Sequence, residues 1–334
     1  MGNRKTIAFY TCSNGFGHFN RTLEIAAYLA EDYDITIYCE QYQMDKFNPT
    51  LKAKFIPYTI SNIRWDETLN TESINYTQYL DWIETYSRDS NKYDIVVSDN
   101  IVGLLKYNPK VILVGSFFWK DVFFDKFGKN QLSSLDESLI SLHKPYICTN
   151  KYVETGSVSR YKHRVPFGFG FKEQLNNTGT KIKTVVGIEP SLKYSNDYLE
   201  FQNNFLIFIK SKRSTLGTAK DIKVVENCMY VIRPGVGMIT HCVENRIPIV
   251  ALYTPNDSTE IIELASKVEE LGIGIKLNID KKFNVNKLLS IVDNAIYNKV
   301  SFELNGYLKI SEFIHNENRS NRLRNGGISH NSSI

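Results

Sequence analysis

The chain has 334 residues, of which 42% are hydrophobic and 23% charged, and its formal net charge is +4. This composition is ordinary for a globular protein, and the length suits two domains of about 150 residues each. The mild positive charge would suit a partner that bears phosphates, but it does not call for nucleic acid.

The five cysteines are scattered and lack CxxC spacing. This argues against a disulfide framework or a zinc site and favours a reducing compartment. No apolar run approaches the roughly 18 residues that a transmembrane helix needs, and the first residues resemble a strand rather than a signal peptide. We therefore expect a cytoplasmic protein.

The first half of the chain alternates apolar runs with amphipathic stretches. The runs are nearly continuous, as in parallel strands that are covered on both faces. Strands are predicted at 7–12, 35–39, 55–60, 95–97, 111–118 and 146–149, and helices at 21–31, 72–88 and 131–143. The pattern predicts a doubly wound α/β domain over residues 1–165.

The pattern dissolves over 154–174, where we place a linker, and then restarts as a second α/β domain over 180–317. Strands are predicted there at 184–188, 205–210, 222–225, 229–232, 247–253 and 273–277, and helices at 196–203, 238–245, 259–271 and 285–299. Residues 302–317 are weakly helical in pattern. The polar tail, 318–334, is predicted to be disordered.

Each predicted domain carries a glycine turn between a strand and a helix. The first includes Gly15 and Gly17, and the second runs from Arg233 to Gly237. Such turns leave backbone N–H groups free at a helix N-terminus, where the helix dipole favours an anion, and glycines let a phosphate approach. The alternative is a tight turn without a ligand. Because ligands of parallel sheets bind at the carboxyl ends of the strands, we expect both turns to face one cleft between the domains.

His18 and Asp99 are the candidate catalytic residues. His18 follows the first strand at the top of the sheet, and an imidazole is a serviceable base at neutral pH. The first turn is not a dinucleotide fingerprint, because Asn20 occupies the place of the third glycine. The competing interpretations are a capping or surface histidine for His18 and a strand-end turn former for Asp99.

The motif Gly15-Phe-Gly-His18-Phe-Asn-Arg21 resembles the G-x-G-H-x-x-R opening of GT-B glycosyltransferases that use nucleotide sugars. The stretch from Arg233 to Val250 resembles the donor site of the same group. This group includes the bacterial peptidoglycan N-acetylglucosaminyltransferase and the UDP-glycosyltransferases. The resemblance implies two Rossmann-like domains facing across a cleft, with the acceptor in the first and the nucleotide sugar in the second.

The resemblance also implies roles for particular residues. His18 would deprotonate the acceptor hydroxyl, and Asp99 would orient His18. Backbone N–H groups at the second glycine turn would hold the diphosphate, so that no catalytic metal and no cofactor is expected. The implied donor-binding residues are Gly15, Gly17, Arg233, Gly235, Val236, Gly237, Met238, His241, Asp257 and Glu260. For Arg233 the alternative is a purely structural charge.

The chain departs from the family pattern at the ribose. Family members usually have a glutamate where this chain has His241, which leaves room for a different nucleotide. Asp257 and Glu260 are candidate sugar contacts, and the alternative for them is a helix N-cap with acidic residues in the first turn.

The segment 116–127 contains five phenylalanines and Trp119. Core packing after a strand is one explanation of this composition. The competing prediction is that part of the segment lines an acceptor pocket, because sugars stack on aromatic faces.

The expected activity is therefore inverting transfer from a nucleotide sugar, UDP-sugar above all, to the hydroxyl of a saccharide or a lipid-linked saccharide, in cell-surface glycan synthesis. A peripheral contact with the inner face of the membrane is left open. Two rivals share the fold: a nucleotide-sugar hydrolase that activates water, and an inactive nucleotide-sugar-binding protein.

Overall fold

The computed structural model describes residues 4–63, 72–173, 184–188, 216–217, 228–255, 257–278 and 301–326. The chain divides into two compact units. The first comprises residues 1–170 and 305–334, and the second comprises residues 171–304.

The first unit is built on a parallel sheet of seven strands in the order β3-β2-β1-β4-β5-β6-β7. Its strands are β1 (Lys5–Tyr10), β2 (Tyr33–Cys39), β3 (Lys54–Pro57), β4 (Ile95–Asp99), β5 (Ile112–Val114), β6 (Ile147–Asn150) and β7 (Arg164–Phe167). Each of the six strands predicted here overlaps an observed one. The order reverses between β1 and β4, so the carboxyl ends of these two strands flank the topological switch point.

The seventh strand corrects the predicted linker. The stretch 154–174 contains β7, which pairs with β6 from Arg164 to Phe167. As an edge strand, β7 is only partly buried and tolerates Pro166, and these properties hide a strand from pattern reading.

Among the described residues up to 170, the first unit contains the α-helices α1 (Gly17–Ala27), α2 (Gln41–Phe47), α3 (Glu72–Ser90), α4 (Trp119–Phe127) and α5 (Gln131–His143). The sequence predicted α1, α3 and α5 and missed α2 and α4. The apolar run at 111–118 was predicted as one strand, but β5 spans only Ile112–Val114. The run continues into a turn and α4, because an apolar run by itself does not distinguish a strand from the buried start of a helix.

Both faces of the first sheet are covered. Ala8 and Tyr10 of β1 pack in one apolar cluster with Trp82 of α3. Ile7 and Phe9 pack in the other cluster, on the α1 side. This alternation explains why the strands are apolar throughout.

The second unit contains a parallel sheet of five strands in the order β12-β11-β10-β8-β9. Its elements are β8 (Thr184–Ile188), β9 (Leu216–Gly217), β10 (Cys228–Ile232), α6 (Val236–Glu244), β11 (Ile249–Tyr253), α7 (Thr259–Glu270) and β12 (Gly274–Asn278). The predicted elements at 196–203, 205–210, 222–225 and 285–299 lie outside the described residues.

The last helix, α8 (Gly306–Gly326), packs on the first unit, although the sequence assigned residues up to 317 to the second domain. Ile310 and Ile314 are buried in the cluster on the α1 side. The hydroxyl of Ser311 donates to the carbonyl of Ile25 in α1 at 3.1 Å. The helix also continues to Gly326, into the tail predicted to be disordered; residues 327–334 lie outside the described part of the chain.

None of the helices within the described ranges has the length and apolar character to span a membrane.

Candidate functional site

The first glycine turn is held by polar side chains of α2. The amide of Gln43 donates to the carbonyls of Cys12 (3.0 Å) and Gly15 (2.7 Å), and the hydroxyl of Tyr42 donates to the carbonyl of Ser13 (2.6 Å). Gly15 has a φ of 79°, a conformation that favours glycine. The turn is therefore fixed before the chain enters α1, and this fixes the position of His18 in the first turn of that helix.

His18, Arg21 and Asp99 form a compact cluster at the switch point of the first sheet. The Nδ1 atom of His18 lies 2.6 Å from Oδ1 of Asp99. Arg21 makes two bonds to the same carboxylate, from Nε to Oδ2 (2.9 Å) and from Nη2 to Oδ1 (2.6 Å). The Asp99 side chain is 5% exposed, and those of His18 and Arg21 are each 13% exposed. The predicted pairing of His18 with Asp99 is thus present in the structure.

Asp99 is ionised in this cluster. Burial by itself would raise its pKa, but the charge of Arg21 and the contact with His18 outweigh burial and lower the pKa below its ordinary value. A carboxylate only accepts hydrogen bonds, so the 2.6 Å contact requires a proton on Nδ1 of His18. With Nδ1 directed at Asp99, Nε2 is the ring nitrogen that could act as a base.

The Nε2 atom of His18 makes no hydrogen bond to any residue in the described part of the chain, and the ring meets Phe117 edge-on at 6.0 Å. An imidazole with Nδ1–H bound to a carboxylate and a free Nε2 can accept a proton from a bound hydroxyl or water. The cluster therefore has the geometry of a general base and its orienting carboxylate.

Asn100, rather than Asp99, makes the turn at the end of β4. Asn100 adopts a φ of 60°, and its N–H donates to the carbonyl of Val114 at 3.0 Å. The carboxylate of Asp99 is left for His18 and Arg21. The turn-former interpretation therefore fits Asn100 better than Asp99.

The sequence did not predict the contact of Arg21 with Asp99. Arg21 appeared only as the last letter of the motif, without a role. Its spacing carried a signal, because His18 and Arg21 are three residues apart and lie on one face of a helix.

The aromatic segment packs mainly in the core. Trp119 is 4% exposed, and its indole N–H donates to the sulfur of Cys12 at 3.2 Å. Phe124 and Phe127, on the outer side of α4, are 53% and 37% exposed. For Trp119, the structure favours core packing over the lining of a pocket.

The second glycine turn leads into α6, and Gly235 is the N-cap residue without any side-chain cap. The first helical hydrogen bond runs from the N–H of Ile239 to the carbonyl of Gly235 (2.9 Å). The N–H groups of Val236, Gly237 and Met238 therefore precede the helical ladder. A Cβ added at Gly235 or Gly237 would meet no described atom within 4 Å. With respect to the described residues, the turn thus offers open space next to backbone donors that lie outside the helical ladder.

Arg233 forms an ion pair with Asp257 at 2.8 Å. The other carboxylate oxygen of Asp257 accepts the N–H of Thr254 at 2.7 Å. Ser258, rather than Asp257, is the N-cap of α7. Asp257 therefore braces both Arg233 and the turn after β11.

Glu260 and His241 are the remaining predicted donor-site residues. Burial raises the pKa of Glu260 to about 7, against the opposing charge of Arg233. Burial lowers the pKa of His241, whose ring stacks on Tyr230 with centroids 6.1 Å apart. The amide Nδ2 of Asn245 lies 3.3 Å from Nδ1 of His241. An amide nitrogen only donates, so this contact places the ring proton of His241 on Nε2.

Among the described residues, the structure contains no group of three or more His, Cys, Asp or Glu side chains arranged to hold a metal ion.

No protein-family model matches the chain. No curated protein matches it by sequence either. Solved structures match over nearly the whole length. LpCGTa, crystallised in complex with UDP, is 11% identical with a TM-score of 0.60 and 94% coverage of each chain. UGT73P12 of Glycyrrhiza uralensis, complexed with glycyrrhetinic acid 3-O-monoglucuronide, is 12% identical with a TM-score of 0.60, covering 97% of this chain and 98% of its own. The calicheamicin glycosyltransferase CalG4 is 12% identical with a TM-score of 0.58, covering 95% and 94%.

These matches, together with the two Rossmann-like units, show that the chain has the GT-B fold, an α/β fold. The predicted fold class is confirmed. At 11–12% identity, the similarity to these structures defines the fold and does not define the activity. The finer resemblance to the peptidoglycan enzyme stays a prediction.

Proposed function

We propose that this protein is an inverting glycosyltransferase that moves a sugar from a nucleoside diphosphate sugar, with UDP-sugar as the first candidate, to a hydroxyl acceptor. The observation that carries the proposal is the His18–Asp99 pair, in which Asp99 accepts from Nδ1–H of His18 and Nε2 makes no hydrogen bond to any described residue. The fold supports it, because structures of this fold include one solved with UDP and one solved with UDP-L-rhamnose.

In the proposed reaction, Nε2 of His18 takes the proton of the acceptor hydroxyl as its oxygen attacks the anomeric carbon. The new C–O bond forms on the face opposite the leaving group. The bond from the anomeric carbon to the diphosphate breaks, and the diphosphate leaves with the electron pair. Attack from the opposite face inverts the anomeric configuration. Asp99 stabilises the imidazolium that forms.

The second unit is the proposed donor site. The N–H groups of Val236, Gly237 and Met238 would donate to the diphosphate, whose charge is favoured at the start of α6. Stabilisation of the leaving diphosphate by these donors is the reason to propose transfer without a catalytic metal. Gly15 and Gly17, in the first unit, would let substrate approach the start of α1.

The sugar and the ribose have their own candidate contacts in the second unit. Glu260 is the proposed sugar contact, because a carboxyl with a pKa of about 7 can donate as well as accept. Asp257 has both oxygens engaged, so we assign it the bracing of Arg233. His241 is proposed to lie against the ribose.

We propose a saccharide or lipid-linked saccharide acceptor bound by the first unit, and a role in cell-surface glycan synthesis in the cytoplasm. A peripheral contact with the inner face of the membrane would use exposed apolar side chains such as Phe124 and Phe127.

Thermal unfolding with a panel of nucleoside diphosphates and their sugars, with and without Mg²⁺, tests the donor site. A ligand at about 100 times its Kd stabilises the folded state by roughly 2.7 kcal/mol. We expect UDP to raise Tm equally with and without Mg²⁺. No rise with any nucleotide would overturn the proposal.

Product analysis with the nucleotide sugar that stabilises the protein tests the reaction. We expect sugar to appear on an added hydroxyl acceptor and His18→Asn to abolish this transfer. Free sugar released at a rate that no acceptor changes would identify a hydrolase instead. Binding without turnover on any acceptor would identify a nucleotide-sugar-binding protein.

A further inference from the structure

Arg21 occupies an unusual place for a positive charge. It is nearly buried, and its guanidinium is directed at the carboxylate on which His18 depends. Arg21 donates one hydrogen bond to each carboxylate oxygen of Asp99. Oδ1 also accepts a hydrogen bond from Nδ1 of His18. The Nη2 atom also lies 3.2 Å from Nδ1, but it cannot donate there, because Nδ1 carries its own proton toward Asp99.

The ion pair changes how Asp99 acts on His18. A lone buried carboxylate beside an imidazole strongly favours the protonated ring. A guanidinium bound to the same carboxylate offsets that charge and leaves the hydrogen-bond acceptor in place. Burial opposes the positive charge of Arg21, but Asp99 outweighs burial and raises the pKa of Arg21, so the arginine stays charged.

Other titratable groups around the cluster do not supply this charge. Tyr307 of α8 and Cys12 of the first glycine turn also act on Arg21 electrostatically. Burial raises the pKa of the Cys12 thiol to about 12, so this thiol is uncharged. Phe117, which meets the His18 ring edge-on, carries no charge. In the described part of the chain, Arg21 is therefore the cation paired with Asp99.

We propose that Arg21 is a positioning residue for the base: it locks the orientation of Asp99 with two bonds and offsets the aspartate charge that acts on His18. This inference rests on the proposed function for its role in catalysis. The coupling among the three side chains does not depend on the identity of the substrate.

The test is an NMR titration of the histidine rings in the full chain without substrate. The protein has six histidines, and His18→Asn identifies the His18 signal by its loss. In Arg21→Gln the aspartate charge is unopposed, so we expect His18 to lose its proton at a pH higher by about one unit or more. In Arg21→Lys, which keeps the charge, we expect a shift of less than about one third of that seen in Arg21→Gln.

Activity provides the second measurement. A base works in its neutral form, so the acidic limb of the kcat profile should move to higher pH in Arg21→Gln. In Arg21→Lys the limb should stay in place while kcat falls about tenfold, because a single ammonium cannot hold both carboxylate oxygens.

Two results would overturn the proposal. One is a folded Arg21→Gln protein in which the His18 titration does not move. An arginine with a purely structural role would give this result. The other is an Arg21→Lys protein whose His18 titration moves as far as that of Arg21→Gln. If Arg21→Gln does not fold, a shift of about one unit in Arg21→Lys alone would contradict a charge effect. Absence of sugar transfer with every substrate tested would instead overturn the proposed function. The two failures are distinguishable, because the titration needs no substrate.

Discussion

Replacing Asp99 with asparagine should separate catalysis from nucleotide binding. An amide presents one acceptor and one donor where the carboxylate presents two acceptors. If the amide oxygen points toward His18, the amide nitrogen faces the N–H of Arg21. Two hydrogen-bond donors then face each other without an acceptor. With the amide oxygen toward Arg21, the nitrogen would face Nδ1 of His18 and move the ring proton to Nε2. In either orientation the cluster loses the arrangement that the base needs.

The magnitudes follow from these contacts. A positioned general base contributes about 10²- to 10⁴-fold to a rate, which corresponds to roughly 3–5 kcal/mol of activation free energy. We expect Asp99→Asn to lower kcat by that factor. Arg21 would also be left without its anion in a nearly buried place, so the free energy of unfolding should fall by about 3–5 kcal/mol.

The assay compares kcat at saturating donor and acceptor for the native protein, Asp99→Asn and a control, Asp94→Asn. Asp94 precedes the same strand at its other end, where it accepts the N–H and hydroxyl of Thr6. We expect the control to keep native kcat. Both variants should keep the rise in Tm with UDP, because the predicted diphosphate donors belong to the second unit. A folded Asp99→Asn protein with kcat within about threefold of native would refute the role of Asp99.

Three further predictions concern other parts of the molecule. Gly237→Ala should keep or raise Tm without ligand, because a helical Gly→Ala change gains about 0.5–1 kcal/mol and the space is open, but its rise in Tm with UDP should shrink. His241 offers an N–H donor rather than a carboxylate, so we expect UDP and 2′-deoxy-UDP to bind with similar Kd and His241→Glu to prefer UDP. Burial raises the pKa of Asp136 to about 7, against a bond from the hydroxyl of Tyr79, and its Oδ2 has no hydrogen-bond partner in the described part of the chain. The folded state therefore binds the proton more tightly than the unfolded state, and stability should fall as pH rises from about 4 to about 7, by up to roughly 4 kcal/mol. Asp136→Asn should remove this fall.

Each of these predictions has a direct check. For Gly237→Ala, Gly274→Ala is the contrasting variant, since a Cβ there would collide with the carbonyl of Ile249 and lower Tm; an undiminished UDP effect in Gly237→Ala would contradict the diphosphate site. For His241, calorimetry measures Kd for both nucleotides, and a native preference for UDP of tenfold or more would contradict the expected lack of selectivity for the ribose hydroxyl. For Asp136, urea unfolding at pH 5 and pH 8 should show a smaller pH effect in the variant than in the native protein, and equal effects would refute the argument.

Much of the fold was predictable from the sequence. The apolar runs of β1, β2 and β4 and the amphipathic pattern of α5 are local properties, and the structure confirms these elements. The two glycine turns were also predictable as turns, because glycine between a strand and a helix is a strong local turn signal. The local pattern missed β7, because an exposed edge strand lacks a clear pattern of apolar residues. It also missed α4, because this helix begins inside an apolar run.

The resemblance of the first motif paired His18 with Asp99 across 81 residues of sequence, and the structure brings the two side chains into contact. The sequence alone determined which residues were available at the ends of β1 and β4. Only the tertiary structure decided that Arg21 turns toward Asp99, that Asp257 is taken up by Arg233, and that α8 returns to the first unit. These outcomes depend on which side chains meet when distant strands and helices pack together, and the free energy of an ion pair or a buried contact is set by that environment rather than by the residue's neighbours in sequence.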